Sequence, residues 1–332
     1  MEQNIGFIGL GAMGYPMAKN IRTKMNQQST LWVYDVQKEA CERFKQEFMG
    51  YGPISIANSA KEVAQNALTI ATIVPAGHHV RQVFLDESDG VIAAKRLPHD
   101  KERLYLECST IDVATARDVA QKLETMGMGR YVDCPVSGGV PAADSGTLSM
   151  LVGATKPAPA EAEQGVGKRL QALLLWMGDA KKHFYCGGVG SGLAAKICNN
   201  YLSCTILLAN AEAMATGVKL GLDPKLLYEV IANSTGQNFM CDHVCPVPGV
   251  VPHAPSSNGY RLGFKAQMLS KDVGLGVEAA KSVNIKPSIG EAAVAVFDQV
   301  GKDERCIWVN WLRFHAYTLT ACVMTSAVNP DT

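Results

Sequence analysis

An apolar run from Asn4 to Gly9 opens the chain and stops in a glycine cluster, and a helical pattern from Tyr15 to about Lys24 follows it. A second apolar run, Thr30 to Tyr34, ends in Asp35. Helical and strand patterns then alternate: helix over Lys38 to Phe48, strand over Ala67 to Val74, helix over Gly77 to Leu85, strand over Leu104 to Cys108, helix over Val113 to Met126 and strand over Arg130 to Asp133. Such alternation predicts a parallel, doubly wound sheet whose ligands sit at the carboxyl ends of the strands. Gly146 to Gly153 alternates like one more strand, Ala160 to about Met177 reads as helix, and Lys182 to Cys186 reads as a last strand.

The pattern changes at Gly187. Four glycines fall within six residues, and the stretch to Gly217 then offers about 25 positions without proline, roughly 38 Å of helix at 1.5 Å per residue. Apolar residues occupy almost every face of it, which predicts a buried spine joining two halves. From Leu202 onward helical patterns take over, at Pro224 to Ser234, Lys271 to Val283 and Gly290 to Gly301. Cys241 to Tyr260, rich in proline, histidine and glycine, reads as a long loop, and long loops tend to be functional.

Composition narrows the partners. A chain of 332 residues with 47% hydrophobic content is long enough for two domains with sizeable cores. Lysine plus arginine equals aspartate plus glutamate at 31 each, so no electrostatic footprint for nucleic acid or an acidic membrane is present. The expected partners are small molecules and further copies of the chain. Ten cysteines without paired short spacings read as free thiols in a reducing compartment. The first residues run directly into a strand pattern, so no signal or transit segment is expected. Lys196, Asn199, Asn200, Asn210 and Glu212 argue against a membrane span in the spine helix. The expectation is a soluble intracellular protein, of the mitochondrial matrix if eukaryotic and of the cytoplasm if bacterial.

The glycines carry the first chemistry. Gly9-x-Gly11-x-x-Gly14 stands between strand and helix, the context the dinucleotide fingerprint requires. Gly9 permits the tight turn, Gly11 lets backbone approach a pyrophosphate, and Gly14 lets helix pack closely on strand. Asp35, about twenty residues on, is placed to accept hydrogen bonds from the adenosine ribose. Its carboxylate also repels a 2′-phosphate, so NAD is expected over NADP. Val74-Pro75 and Ser109-Thr110 follow predicted strands and are candidates for lining the nicotinamide side. The charged segment Lys95 to Arg103 is expected to be a solvated loop. No metal is expected: His78 and His79 point in different directions, and the Cys241-x-His243-x-Cys245 spacing is not that of a structural zinc site.

Three further stretches leave two readings each. Asp133-Cys-Pro-Val-Ser-Gly-Gly139 is either a plain turn or an anion-receiving loop of N–H groups and a hydroxyl suited to a carboxylate. Lys196 and Asn200 stand at i and i+4, so they share one helix face. The block is either a snorkelling lysine with two asparagines, Asn199 and Asn200, capping neighbouring turns, or a desolvated lysine poised for proton transfer with Asn200 orienting substrate. Lys271-Asp272 is either a helix cap with its neighbour or a cation reaching the cofactor.

The glycine fingerprint, DCPVSGG, the Gly190-x-Gly192-x-x-x-Lys196-x-x-Asn199-Asn200 block and Lys271-Asp272 occur in the order found in the β-hydroxyacid dehydrogenase family, which the chain resembles over roughly residues 4 to 313. CSTID, AAKICNN, LGLDPKLL and PVPGV add to that likeness. The resemblance implies an α/β fold: a Rossmann-type doubly wound sheet domain over residues 1–187, then over 188–332 a long interdomain helix and an all-α domain that binds substrate and builds a homodimer or homotetramer. It implies reversible NAD-dependent oxidation of a hydroxy acid, 3-hydroxyisobutyrate, to methylmalonate semialdehyde in valine breakdown. By position, Lys196 matches the catalytic lysine and Asn200 the substrate-orienting amide, while Ser137, Gly138 and Gly139 match the substrate-carboxylate loop. The cofactor-binding set is Gly9, Leu10, Gly11, Met13, Gly14, Asp35, Val74, Pro75, His79, Thr110, Phe264, Lys271 and Asp272. Cys134 stands where the family has a small alanine, His79 where it often uses another side chain, and the tail from about Ala316 departs from its pattern. Rival readings are a sister reductase of glyoxylate, succinic semialdehyde or tartronate semialdehyde, and a non-catalytic dinucleotide-binding module.

Overall fold

The computed structural model describes residues 4–94, 100–258 and 266–302. They fall into two compact units that part after Lys196.

In the first unit, β1 (Ile5–Ile8), β2 (Leu31–Tyr34), β3 (Ile54–Ile56), β4 (Thr69–Thr72), β5 (Leu104–Glu107) and β6 (Arg130–Asp133) form one sheet in the order β3-β2-β1-β4-β5-β6. Every pairing is parallel. The crossovers are α1 (Gly14–Lys24), α2 (Lys38–Phe48), α3 (Ala60–Asn66), α4 (Gly77–Leu85) and α5 (Val113–Thr125). β1, β4 and β5 are buried along their whole length, as strands covered by helices on both faces must be. Two cores result: one gathers Phe7, Met17, Ile21 and Phe44, the other Ile70, Val80, Phe84 and Tyr105. The strand order reverses between β1 and β4, where a doubly wound sheet opens its ligand crevice.

A second, three-stranded sheet follows, with β7 (Val136–Ser137) antiparallel to β8 (Leu148–Val152) and β8 parallel to β9 (Gly178–Tyr185). Its connections are α6 (Gly139–Ser145), α7 (Pro159–Ala162) and α8 (Gly165–Met177). The helix expected from Ala160 is thus two helices, with Gly165 at φ +55° where the second begins. The expected solvated loop at Lys95 to Arg103 is corrected at its end: Asp100 and Arg103 are buried and paired at 2.8 Å. Arg103 also donates to the Ala64 and Ala67 carbonyls, so this charge is a buried staple between β5 and α3.

The second unit is helical. α9 (Ser191–Lys219) begins in the first unit and is followed by α10 (Pro224–Ala232), α11 (Phe239–Val244), α12 (Ala266–Ser282) and α13 (Ser288–Lys302). Asp223 caps α10 by accepting from Lys225 and Leu226 N–H, with Pro224 at the first position. Two expectations change here. α9 is not buried on every face, since Leu202 is 59% exposed. The segment Cys241 to Tyr260 is not all loop: it holds most of α11 and a short 3₁₀ turn at Pro255–Asn258. No helix among the described residues is long and apolar enough to cross a membrane.

Candidate active site

The glycine turn sorts into positions the protein itself demands and one it does not. Gly9 sits at φ +97°, and a Cβ there would lie 2.0 Å from the Ile73 carbonyl oxygen. A Cβ on Gly14 would lie 1.9 Å from the Gly9 carbonyl oxygen. Among the described residues, its chain neighbours aside, none has an atom within 4 Å of where a Cβ on Gly11 would be, and Gly11 is exposed ahead of the α1 amino terminus. Open space over exposed backbone at a helix start is what a pyrophosphate needs, so these residues fit a dinucleotide. Leu10 is buried, and its N–H donates to Asp35 Oδ2 at 2.6 Å while Oδ1 accepts from Gln37 N–H. The ribose-binding candidate is thereby tied to the glycine turn, with Met13 as the residue before α1.

Val74, Pro75, Ser109 and Thr110 follow the carboxyl ends of β4 and β5. Val74 N–H donates to Ser109 Oγ at 2.7 Å, which locks the two loops together. Ser109 N–H in turn donates to Glu107 Oε1 at 2.9 Å. Glu107 is fully buried beside Thr72, Tyr131 and Asp133, and burial pushes its pKa up to about 7. His79 lies in the first turn of α4 with its ring 3.9 Å from that of His78, and its Nδ1 is buried without a hydrogen-bond partner among the described residues. Burial and the adjacent His78 hold its pKa below the usual imidazole value.

The DCPVSGG stretch is more than a turn: it ends β6, supplies β7 and starts α6. Ser137 is half-buried, whereas Gly138 and Gly139 are exposed at φ +130° and +67°. Side chains are strained in that backbone region, and a Cβ on Gly138 would also meet Ala142 at 2.5 Å. These two glycines leave the backbone after β7 exposed. Cys134 is fully buried, and burial pushes its thiol pKa well up, so it stays protonated and a weak nucleophile.

Lys196 lies in the second turn of α9 with only 7% of its surface exposed. The start of α9 is held by Asp133, which accepts from Gly190 N–H at 2.7 Å and Leu193 N–H at 2.9 Å. In the second unit, Asn200 Nδ2 donates to Asp272 Oδ2 at 2.7 Å, and Lys271 Nζ lies 3.4 Å from Asp272 Oδ1. Lys271-Asp272 is therefore no helix start, since α12 begins at Ala266 and Asp272 is buried. Phe264 lies outside the described residues. Among the described residues no three histidine, cysteine or acidic side chains gather as a metal site.

Sequence reasoning passed over Glu107 and named Asp133 only as the opening residue of the DCPVSGG stretch, with no role of its own. The signal was present: each is an acid closing a buried parallel strand, a position that needs dedicated partners.

Comparison with known proteins places the whole. Residues 4–174 match the family described as "NAD binding domain of 6-phosphogluconate dehydrogenase", and residues 190–305 match "NAD-binding of NADP-dependent 3-hydroxyisobutyrate dehydrogenase". The chain is 38% identical to the mitochondrial 3-hydroxyisobutyrate dehydrogenase of Mus musculus, over 88% of this chain and 80% of that protein. It is 35% identical to an NAD-dependent L-serine dehydrogenase of Pseudomonas aeruginosa, over 89% of this chain and 91% of that one. A solved structure of Mycobacterium tuberculosis 3-hydroxyisobutyrate dehydrogenase with L-serine superposes with a TM-score of 0.78 at 31% identity, covering 96% of this chain and 98% of that one. Matched along both units, the chain belongs to the β-hydroxyacid dehydrogenase family, as an NAD(P)-binding oxidoreductase acting on a CH–OH group.

Proposed function

We propose that the enzyme oxidises 3-hydroxyisobutyrate to methylmalonate semialdehyde, the step such an activity performs in valine breakdown, and that it uses NAD. One observation carries the chemistry: a loop at Ser137 to Gly139 with its two glycines exposed and a buried lysine, Lys196, belong to one compact unit, as a carboxylate receptor and a proton carrier must. Bound NAD supplies a hydride acceptor. The Ser137 hydroxyl and the N–H groups of Gly138 and Gly139 receive the substrate carboxylate. Lys196 Nζ faces the hydroxyl, takes its proton during oxidation and returns it during reduction. Asn200, on the same helix face one turn on, orients the substrate, and its bond to Asp272 fixes the amide.

Gly9 to Gly14 receive the pyrophosphate and Asp35 the ribose, and Val74, Pro75, Thr110 and His79 line the nicotinamide side. Asp35 is the physical argument for NAD, because a carboxylate there opposes a 2′-phosphate. Lys271 and Asp272 as cofactor contacts rest on the family resemblance. Assembly into a homodimer or homotetramer belongs to the same reading: the helical unit exposes Leu220, Phe239 and Ile289 to 79%, 68% and 69%.

L-serine is the second reading. A relative is named for its oxidation, and the Mycobacterium structure contains it. Initial rates of NADH formation with both 3-hydroxyisobutyrate enantiomers, L-serine, 4-hydroxybutyrate and glycerate, repeated with NADP, decide between them. A strong preference for one 3-hydroxyisobutyrate enantiomer with NAD is expected. A preference for L-serine would install the second reading, and a preference for NADP would remove Asp35 from its role.

A further inference from the structure

Asp133 is fully buried at the last position of β6, and its carboxylate is held on every side. Oδ1 accepts from Gly190 N–H at 2.7 Å and Oδ2 from Leu193 N–H at 2.9 Å, so both oxygens cap the amino terminus of α9. Its own carbonyl accepts from Gly153 N–H at 2.7 Å. A Cβ on Gly153 would stand 1.8 Å from Oδ1, and one on Gly192 would stand 3.0 Å from Oδ2 and 2.1 Å from the Leu151 carbonyl oxygen. Two glycines, one closing β8 and one in the first turn of α9, thus leave the space this carboxylate fills.

What Asp133 joins gives the arrangement a purpose. Leu193, which it bonds, precedes Lys196 by about one helical turn, so the cap fixes the stretch of helix that carries the amine. On the other side the chain continues directly into Cys134-Pro135 and the Ser137 to Gly139 loop, anchored by Leu151 N–H donating to the Pro135 carbonyl at 3.1 Å and by the β7–β8 pairing. We propose that Asp133 is a positioning residue: it sets Lys196 against the carboxylate-receiving loop, so that a substrate seated on the loop meets the amine at its hydroxyl. The proposal rests on the reading of Lys196 and Ser137 to Gly139 given above. A small hydroxy acid gives little latitude between its two polar ends, and displacing a reacting group by about 1 Å costs on the order of 10²-fold in rate.

The test is a double-mutant cycle on the full-length protein. Asp133→Asn is nearly isosteric but turns an N–H donor toward either Gly190 or Leu193. With folding verified by circular dichroism and by NADH binding, its kcat should fall about 10²-fold, while NADH affinity stays within about threefold of wild type. In a Lys196→Ala background the same substitution should cost less than about threefold, because the group it positions is gone. A purely structural role would reduce both backgrounds alike, and that outcome overturns the proposal, as does an unchanged kcat in Asp133→Asn. If Lys196→Ala alone keeps full turnover, the reading of the lysine fails first and the proposal goes with it. Should Asp133→Asn misfold, Asp133→Ser, which is smaller and keeps one acceptor, takes its place with the same outcomes.

Discussion

In the sheet unit, the groups proposed to face ligand are set by backbone; in the helical unit, by one another's side chains. Gly9, Gly138 and Gly139 hold positive φ, Gly9 with its N–H donated to the Tyr34 carbonyl at 2.9 Å; Val74 is tied through its own N–H, and Lys196 rides on a helix whose first amides are capped. Asn200, Asp272 and Lys271 instead form a chain of side-chain contacts across α9 and α12. The first kind of placement tolerates almost no added atoms. The second tolerates local change but fails when one member is removed. The units also differ in their surfaces, since large exposed apolar residues such as Leu220, Phe239, Val283, Ile285 and Ile289 concentrate in the helical one.

The sharpest break in this comparison is predicted at Gly9. Gly9→Val must adopt φ +97° and drive a side chain into the Ile73 carbonyl, so unfolding should be easier by roughly 3 kcal/mol or more. Thermal or denaturant melts check it, and a normal melting temperature would refute the account of the turn. Next comes Glu107, whose pKa stands near 7 in the folded protein against an ordinary 4.5. Between those values the folded state binds more protons than the unfolded one, so stability falls as pH rises through this window. Glu107→Gln should flatten that fall and gain up to roughly 3 kcal/mol above it, as urea midpoints from pH 4 to 8 would reveal.

Gly11→Ala is the counterpart of Gly9→Val within the same turn. Among the described residues none opposes the new methyl, so melting should be unchanged while NADH affinity drops about tenfold, roughly 1.4 kcal/mol. Equal damage to both properties would mean that the open space is not a ligand's. The smallest effect on stability is expected in the helical unit. Ile289→Glu, at a 69% exposed site, should change unfolding by less than about 0.5 kcal/mol. If the apolar surface is an assembly face, the same variant shifts the mass measured by light scattering; an unchanged mass removes Ile289 from it.

The alternation of apolar runs with helical patterns made the sheet legible, and the glycine turn with Asp35 made its crevice legible, because both depend on local sequence. β3 and α3 escaped notice: a strand of three residues, Ile54–Ile56, has too few positions to show a period. α6 was hidden by Pro141 and by the glycines at both its ends, which read as turn signals. α11 was hidden within a proline- and histidine-rich stretch, although Asn238 caps it through Cys241 N–H. The buried Arg103–Asp100 pair read as solvated because its carbonyl partners come from another element. Asp133 shows the limit best. Its partners are 57 and 60 residues away in sequence, and no local pattern reports a contact between a strand end and a distant helix start.

Everything proposed for the reaction turns on the amine of Lys196. Steady-state and single-turnover rates of NADH formation by Lys196→Ala, beside a direct NADH titration of the same variant, test it most simply. A positioned proton carrier contributes about 10²–10⁴-fold, so the rate should fall by that factor while NADH affinity is retained. A variant that binds NADH and turns over at the wild-type rate would contradict the account.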